Sequence, residues 1–238
     1  MSSLTLRPRP SSPAHLLVEL VAVSLLASGC GGPGPAPADV DLPPTGGVFD
    51  YQLGGSYDQV SDPGGTSRQI DVVVRPVADG PLAGAYSICY VNGFQTQPDE
   101  AERWQGREDL LLHDDAGELV VDPDWPDEYV LDPSNRQQRH GILELIGADI
   151  DQCAQAGFNA IEIDNVDTAH RFEAIDPAGS RALAGDYVEQ AHGLGLAVGQ
   201  KNAADDVCAN DQRPPMTIIR DRDLVAPGEP GHVYRACD

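Results

Sequence analysis

The sequence predicts an α/β fold built from parallel strands, and two observations lead to that prediction. From Gly46 onward, short apolar runs alternate with helical stretches, which is the pattern of successive βαβ units. The run from Phe158 to Asp164 is largely apolar and then meets several carboxylates and carboxamides, as expected of a buried strand whose carboxyl end reaches solvent. Parallel barrels collect their chemistry at such strand ends. The candidate site is therefore expected there.

Five strands and two helices make up the predicted core. The strand candidates are residues 48–53, 70–74, 85–91, 158–164 and 196–200. A helix is expected from a cap at Ser134 to about Ala156, because apolar residues recur at helical spacing until Gly157 stops it. The second helix is expected from about Ser180 to His192. These elements supply both the strands and the covering layer of a parallel sheet.

The segment 94–129 shows little periodicity and is predicted to be a long loop. It contains a small hairpin, with arms at 110–113 and 119–121. Long ordered loops are usually functional. Both tryptophans lie here, and an indole ring either offers a platform for a sugar or packs the loop onto the body of the domain. The two interpretations are equally supported for Trp125, whereas packing is favoured for Trp104.

The N-terminus has the features of an export signal. Arg7 and Arg9 precede an apolar run at 16–27, and small residues then lead to Cys30. The run is too short to span a bilayer about 30 Å thick. Residues 1–29 are therefore interpreted as a signal peptide that resembles those of bacterial lipoproteins, with Cys30 as the lipidated residue. This predicts a lipid-anchored, extracytoplasmic protein of the bacterial cell envelope.

The remaining chain is divided into a tether at 30–45, rich in Gly, Pro and Ala, and one domain at 46–238. Cleavage before Cys30 would leave 209 residues (238 minus 29), and the loss of two Arg and one Glu takes the formal charge from -23 to -24. Nucleic acid is a poor partner for such a surface. The acidity either attracts a cationic polymer or serves solubility. A monomer is expected.

Four further cysteines allow up to two disulfides with three possible pairings. The preferred bridge joins Cys208 to Cys237. Cys89 and Cys153 lie in a predicted strand and a predicted helix, where a buried free thiol is as well supported as a bond. No Cys-x-x-Cys pair or Cys/His cluster indicates a metal site, and no cofactor is expected.

Four motifs in order resemble glycoside hydrolase family 114. They are Asp50–Gly55 (DYQLGG), Ile88–Asn92 (ICYVN), Gly157–Asp167 (GFNAIEIDNVD) and Ala191–Asn202 (AHGLGLAVGQKN). The resemblance implies a (β/α)8 TIM barrel with endo-α-1,4-polygalactosaminidase activity on galactosamine-containing exopolysaccharide. The implied partner is a cationic or amino-sugar polysaccharide.

The chain departs from this family after Asn202. The family's next strand carries the second catalytic Glu, and no comparable sequence is present here. The expected folded part is also about fifty residues shorter than a barrel of about 250 residues. An incomplete barrel is therefore expected, lacking about two strands. The alternative function is a non-catalytic glycan-binding protein, or an inactive, truncated relative.

The resemblance implies that Asp164 is a catalytic carboxylate, and the alternative is a structural acid at the end of a strand. Glu162 shares its strand face and is expected to support it from deeper in the fold. Lys201 would hold Asp164 ionised or instead pair with Glu162. The predicted substrate-binding residues are Asp50, Gln52, Tyr90, Asn92, Trp125, Glu162, Asn165, Asp167, Lys201 and Asn202. Four acidic residues in loops are considered as the second catalytic group, and none of them occupies the family position. They are Glu100, Asp127, Glu173 and Asp176.

Overall fold

The computed structural model describes residues 40–61 and 65–203 and the backbone of a short strand at 218–219. Its strands, in chain order, are β1 Phe49–Tyr51, β2 Gln59–Ser61, β3 Ser67–Gln69, β4 Val72–Arg75, β5 Tyr86–Asn92, β6 Ala160–Asp164, β7 Ala197–Lys201 and β8 Ile218–Ile219. Strands β2 and β3 form an antiparallel pair, and the other six form one parallel sheet in the order β1-β4-β5-β6-β7-β8. The predicted α/β fold is confirmed.

Each parallel strand lies beside the next one in the chain, as in a barrel that is built up strand by strand. Among the described residues the sheet does not close, because β1 and β8 are its two edges. The expectation of an incomplete barrel agrees with this open sheet.

Helix α1, Arg136–Ala156, covers the sheet and begins one residue later than predicted. Asn135, rather than Ser134, is its cap: the Asn135 side chain accepts from the Gln138 amide at 2.9 Å, and the Gln138 side chain reaches back to complete a capping box. The Ser134 hydroxyl instead accepts from the Asp176 amide at 3.4 Å. Gly157 ends the helix as predicted, with a left-handed φ of 89°.

Two further helices follow β6. They are the single turn α2, Thr168–Arg171, and α3, Pro177–Gly193. Helix α3 begins three residues before the predicted start, because Asp176 caps it by accepting from the amides of Ala178 and Gly179, and Pro177 suits the first position. This capping role also accounts for Asp176, one of the loop acids considered from the sequence.

The core has one layer on each face of the sheet. Ile161 and Ile163 pack with the apolar side chains of α1 and α3, and this larger cluster includes Tyr187, whose hydroxyl donates to the Gly93 carbonyl at 2.8 Å. Ala160 joins a smaller cluster on the opposite face. The predicted alternation along β6 is therefore confirmed. Glu162 and Asp164 consequently share the face that carries the site.

A disulfide joins Cys89 in β5 to Cys153 in α1, with 5.9 Å between the two Cα atoms. Because the helix packs directly on the sheet, both sulfurs are buried between the two layers. From the sequence, free thiols and a disulfide were equally supported for these two cysteines. The preferred pairing of Cys208 with Cys237 lies outside the described residues.

The segment after β5 forms the predicted loop and hairpin. His113 pairs with Leu119, and the Val120 amide donates to the Leu112 carbonyl at 2.9 Å. A third stretch around Val130 adds to this hairpin, which the sequence did not indicate. Short 3-10 turns lie at Val77–Asp79, Pro98–Trp104 and Glu108–Leu110. Trp104, only 4% exposed, packs in the core, as favoured from the sequence.

Within residues 40–61 and 65–203, no helix has the length and apolar character needed to cross a bilayer. Cys30, the signal peptide and most of the tether lie outside the described residues.

Candidate functional site

A cavity of about 990 Å³ opens at the carboxyl ends of the parallel strands, where the sequence placed the site. Tyr51, Asp164 and Lys201 are the last residues of β1, β6 and β7, and all three line it. Its other lining residues are Leu53, Pro76, Ala78, Tyr90, Gln97, Asp99, Asp124, Trp125, Glu128 and Asn165. Side chains from strand ends and from the long loop therefore meet in one space.

Asp164 lies at the floor of this cavity, only 5% exposed, and receives four donors. Its Oδ2 accepts from the Tyr90 hydroxyl at 2.7 Å and lies 3.2 Å from Lys201 Nζ. Its Oδ1 accepts from the Asn165 amide at 2.7 Å and from Asn202 Nδ2 at 3.1 Å. One ammonium and three hydrogen-bond donors fix the orientation of the carboxylate and match its negative charge.

A second carboxylate, Glu162, lies deeper and is 1% exposed. Its Oε1 accepts from the Tyr51 hydroxyl at 2.6 Å, and the same hydroxyl lies 2.9 Å from Lys201 Nζ. Burial raises the pKa of Tyr51 well above its usual range, and the charges of Glu162 and Asp164 add to the effect. Tyr51 therefore stays protonated and connects Glu162 to the base of the cavity. Glu162 thus lies deeper than Asp164 on the same strand face, and its supporting role stays a prediction.

Burial, followed by the charge of Asp164, also raises the pKa of Tyr90 well above its usual range. Its hydroxyl therefore keeps its proton and donates to Asp164. Lys201 Nζ lies 5.3 Å from the centre of the Tyr90 ring, so cation and ring pack together beside the carboxylate. Lys201 thus reaches Asp164, one of the two pairings considered from the sequence.

Asn92 and Asn165 link Asp164 to the long loop. Asn165 has a left-handed φ of 60°, and its Nδ2 donates to Asn92 Oδ1 at 3.2 Å. The Asn165 Oδ1 accepts from Arg171 at 3.1 Å. Arg171 also pairs with the buried Asp122 of the long loop. This network holds the residue after Asp164 in an uncommon backbone conformation.

Asp167 was expected to bind substrate or to cap the following turn. It precedes α2 but makes no side-chain capping bond, and its Oδ1 lies 3.3 Å from Arg171 Nε. It is buried and does not border the cavity. Its position fits a structural ion pair that orients Arg171 towards Asn165.

Asp50 and Gln52 were predicted to bind substrate, but neither of them lines the cavity. Side chains alternate along a strand, and Tyr51 is the residue that faces the cavity. Gln52 Nε2 donates to Asp50 Oδ2 at 2.6 Å, and Gln52 Oε1 accepts from Arg75 Nε at 2.8 Å. These contacts tie the end of β1 to the end of β4.

The long loop contributes Trp125 and Glu128. Trp125 is 57% exposed and lines the cavity, as a sugar platform would require. Glu128, which the sequence did not single out, faces the same space: its Oε1 accepts from Gln97 Nε2 at 3.1 Å and its Oε2 from Asn92 Nδ2 at 3.3 Å. The loop acids weighed from the sequence, Glu100, Asp127, Glu173 and Asp176, do not line the cavity.

Burial raises the pKa of Glu128 to about 7. The hydrogen bond from Gln97 lowers it, the negative charge of Asp164 raises it, the hydrogen bond from Asn92 lowers it and Asp122 raises it further. The site thus holds two carboxyl groups in different surroundings. Asp164 lies beside the Lys201 ammonium, whereas Glu128 titrates near neutral pH. Among the described residues no group of three His, Cys, Asp or Glu side chains is arranged to hold a metal ion.

A family model described as glycoside-hydrolase family GH114 matches residues 33–219, more than three quarters of the chain. The chain belongs to glycoside hydrolase family 114. No curated protein sequence matches it. The resemblance drawn from the four motifs is therefore confirmed at the level of the family.

Several solved structures are similar to this chain at low sequence identity. Ega3 of Aspergillus fumigatus, in complex with galactosamine, is 19% identical with a TM-score of 0.48, and the match covers 71% of this chain and 65% of that one. The glycoside hydrolase domain of PelA from Pseudomonas aeruginosa is 16% identical with a TM-score of 0.44, covering 65% and 58%. This family 114 chain thus spans less than two thirds of either.

Glu128 makes the stability of this family 114 protein depend on pH. An unfolded chain releases the glutamate proton near pH 4.5, whereas the folded protein keeps it to about pH 7. The free energy of unfolding is therefore expected to fall as pH rises through this window. After allowance for solvent screening of a half-buried group, the loss is on the order of 1–2 kcal/mol.

Urea unfolding of wild type and Glu128→Gln at several pH values between 4.5 and 7.5 measures this effect. The difference in stability between the two proteins should move in favour of the variant as pH rises. Parallel pH profiles would show that Glu128 titrates alike in the folded and unfolded states.

Proposed function

We propose that this protein is an extracytoplasmic glycoside hydrolase that acts on a galactosamine-containing polysaccharide, with Asp164 as a catalytic carboxylate. The observation that carries the proposal is Asp164 itself. In a chain of family 114, it ends a central strand at the floor of an open cavity, held by four donors. Glycosidic bonds are usually cleaved between two carboxyl groups, of which such a positioned carboxylate would be one.

The charges in the cavity support an amino sugar as the substrate. Among the described lining residues, Asp99, Asp124 and Glu128 join Asp164, against the single cationic side chain of Lys201. An ammonium group is attracted to such an acidic surface, and a hydrogen bond from it to a carboxylate is stronger than a neutral one. The formal charge of -23 acts in the same direction over a longer range. A neutral polysaccharide would lack this charge attraction, and an anionic one would be repelled.

The activity test compares three polymers on the full mature chain. Fully deacetylated α-1,4-galactosamine polymer should yield new reducing ends, whereas its N-acetylated form and polygalacturonate should yield few. No new ends from any polymer, with binding of the deacetylated polymer retained in calorimetry, would favour the alternative of a glycan-binding relative without activity. The departure of the sequence from the family after Asn202 is the observation behind that alternative. Absence of both cleavage and binding would contradict the proposed substrate.

Trp125 is proposed as the platform on which a sugar ring stacks. Replacing it with Ala should weaken binding of a galactosamine oligomer about tenfold, which corresponds to about 1.4 kcal/mol of lost aromatic contact. Tyr129→Ala is the matched control, because Tyr129 is an exposed aromatic of the same loop outside the cavity lining. Titration calorimetry measures both variants. Equal losses in the two would show that the effect is not local to the cavity.

The protein is further proposed to be a monomer anchored at the cell surface by a lipid on Cys30. The disulfide between Cys89 and Cys153 supports an oxidising, extracytoplasmic location. Metabolic labelling with a tagged fatty acid should mark the wild type and not Cys30→Ala. Labelling of both proteins would contradict the assignment of Cys30.

A further inference from the structure

We propose that Glu128 of the long loop is the acid that protonates the leaving group, and so supplies the second carboxyl group of the site. This inference rests on the proposed hydrolase function. The family's second acid lies on a strand after Asn202, where this sequence has no comparable motif, and none of the loop acids considered from the sequence lines the cavity. Glu128 does so, together with Asp164.

A continuous set of contacts connects the two carboxyl groups. Glu128 Oε2 accepts from Asn92 Nδ2 at 3.3 Å, and Asn92 Oδ1 accepts from Asn165 Nδ2 at 3.2 Å. The Asn165 amide then donates to Asp164 Oδ1. Because Asn92 ends β5 and Asp164 ends β6, neighbouring strands fix this spacing. The acid is thus supported by the sheet although it belongs to a loop.

The loop turn that carries Glu128 is itself anchored. The Glu128 amide donates to the Trp125 carbonyl at 2.9 Å, and the Asp122 amide donates to the Glu128 carbonyl at 3.0 Å. Asp122 is fully buried, where it pairs with Arg171 and accepts from Gln95. The exposed indole and the carboxyl group therefore lie on one hydrogen-bonded turn. A sugar stacked on Trp125 would bring its neighbouring glycosidic oxygen towards Glu128.

The two carboxyl groups have environments suited to different tasks. Asp164 contacts the Lys201 ammonium, whereas Glu128 receives two neutral amide groups, from Gln97 and Asn92. The charged groups near Glu128 are Asp164 from β6, Lys201 from β7, the loop acids Asp99 and Asp124, and the ion pair of Asp122 with Arg171. Burial, and then the negative charges of Asp164 and Asp122, raise the pKa of Glu128 and keep its proton up to near-neutral pH, as a general acid requires.

The chemistry balances with one water. Glu128 gives its proton to the glycosidic oxygen as the bond from C1 to that oxygen breaks, and the bonding pair stays on the departing oxygen. Asp164 bonds to C1 and forms an ester. Water then supplies a hydroxyl to C1, its proton returns to Glu128, and Asp164 leaves as a carboxylate. The products are two shorter chains, and both carboxyl groups end as they began.

The test compares a substrate that needs an acid with one that does not. A galactosamine oligomer has a poor leaving group, whereas 2,4-dinitrophenolate departs from an aryl α-galactosaminide without protonation. Glu128→Gln should lower kcat/KM on the oligomer about 100-fold. On the aryl substrate the loss in kcat/KM, which reports only the step that forms the ester, should stay below about threefold. Asp127→Asn, the adjacent loop acid outside the cavity lining, should behave as wild type on both.

The wild type alone gives a second measurement that does not depend on a variant folding. Its kcat/KM on the oligomer should decline above about pH 7, and its kcat/KM on the aryl substrate should show no such decline. Equal losses of Glu128→Gln on both substrates, or full activity on the oligomer, would overturn the role of Glu128. Wild type that cleaves only the aryl substrate would overturn it too. Wild type that cleaves neither substrate would instead overturn the proposed function, and this inference with it.

Discussion

Replacing Asp164 with Asn is expected to lower kcat on a galactosamine oligomer by about 1,000-fold or more, with binding of the oligomer changed far less. The substitution keeps the size of the side chain and removes its negative charge. That charge is needed at C1 only as the glycosidic bond breaks, so its loss acts on the transition state rather than on the bound substrate. The four donors around the carboxylate are arranged for this anion.

Single-turnover kinetics and calorimetry on the same preparation separate these two effects. Glu173→Gln is the matched control, because it removes one exposed carboxylate from the segment between α2 and α3 without touching the cavity lining. Thermal unfolding of all three proteins tests for damage to the fold, since Lys201 loses the charge of its partner in Asp164→Asn. A variant that retains kcat within tenfold of wild type, while properly folded, would remove Asp164 from the mechanism.

Asp164 was identifiable from the sequence because two local signals coincide at it. A run of apolar residues predicts a buried strand, and its carboxyl end is where parallel sheets place their chemistry. The alternation of Ile161 and Ile163 with Glu162 and Asp164 then fixes which acids share a face. These properties follow from period-two geometry alone, so the structure reproduces them.

The short strand β1 shows where that reasoning fails. The strand contains only Phe49–Tyr51, so the alternation of side chains is too short to show which residues face the cavity. Asp50 and Gln52 were predicted to bind substrate because they are polar. Tyr51 faces the cavity instead, because its ring packs with the small apolar cluster while its hydroxyl reaches Glu162. The Tyr51 side chain has an apolar ring for the cluster and a polar hydroxyl for Glu162, and no neighbouring residue in the sequence indicates this double contact.

Glu128 was missed for a different reason. Its contacts come from Asn92 and Gln97, more than 30 residues away along the chain, and its raised pKa comes from burial by the folded loop. The sequence around Glu128 is acidic and has no periodic pattern, so it does not distinguish Glu128 from the neighbouring acidic residues. Only the pairing of the Val130 stretch with the hairpin positions this turn over the strand ends.

Loss of the disulfide between Cys89 and Cys153 is expected to lower the free energy of unfolding by about 4 kcal/mol. The bond closes a chain segment of 64 residues, and a loop of that length restricts the unfolded chain considerably. Both sulfurs are also buried in the main core, so a reduced pair would lose packing in addition. For a domain of this size the midpoint of thermal unfolding should fall by about 10 °C.

The double variant Cys89→Ala, Cys153→Ala, unfolded with urea with and without a reducing agent, isolates this bond from any other cysteine pair. Wild type should lose stability on reduction, and the variant should begin at the lower stability and change much less. The activity of the variant should also fall, because the disulfide fastens β5 to α1. Strand β5 carries Tyr90, which contacts Asp164, and Asn92, which contacts Glu128. A variant as stable as oxidised wild type would mean that packing between sheet and helix suffices to hold β5 in place.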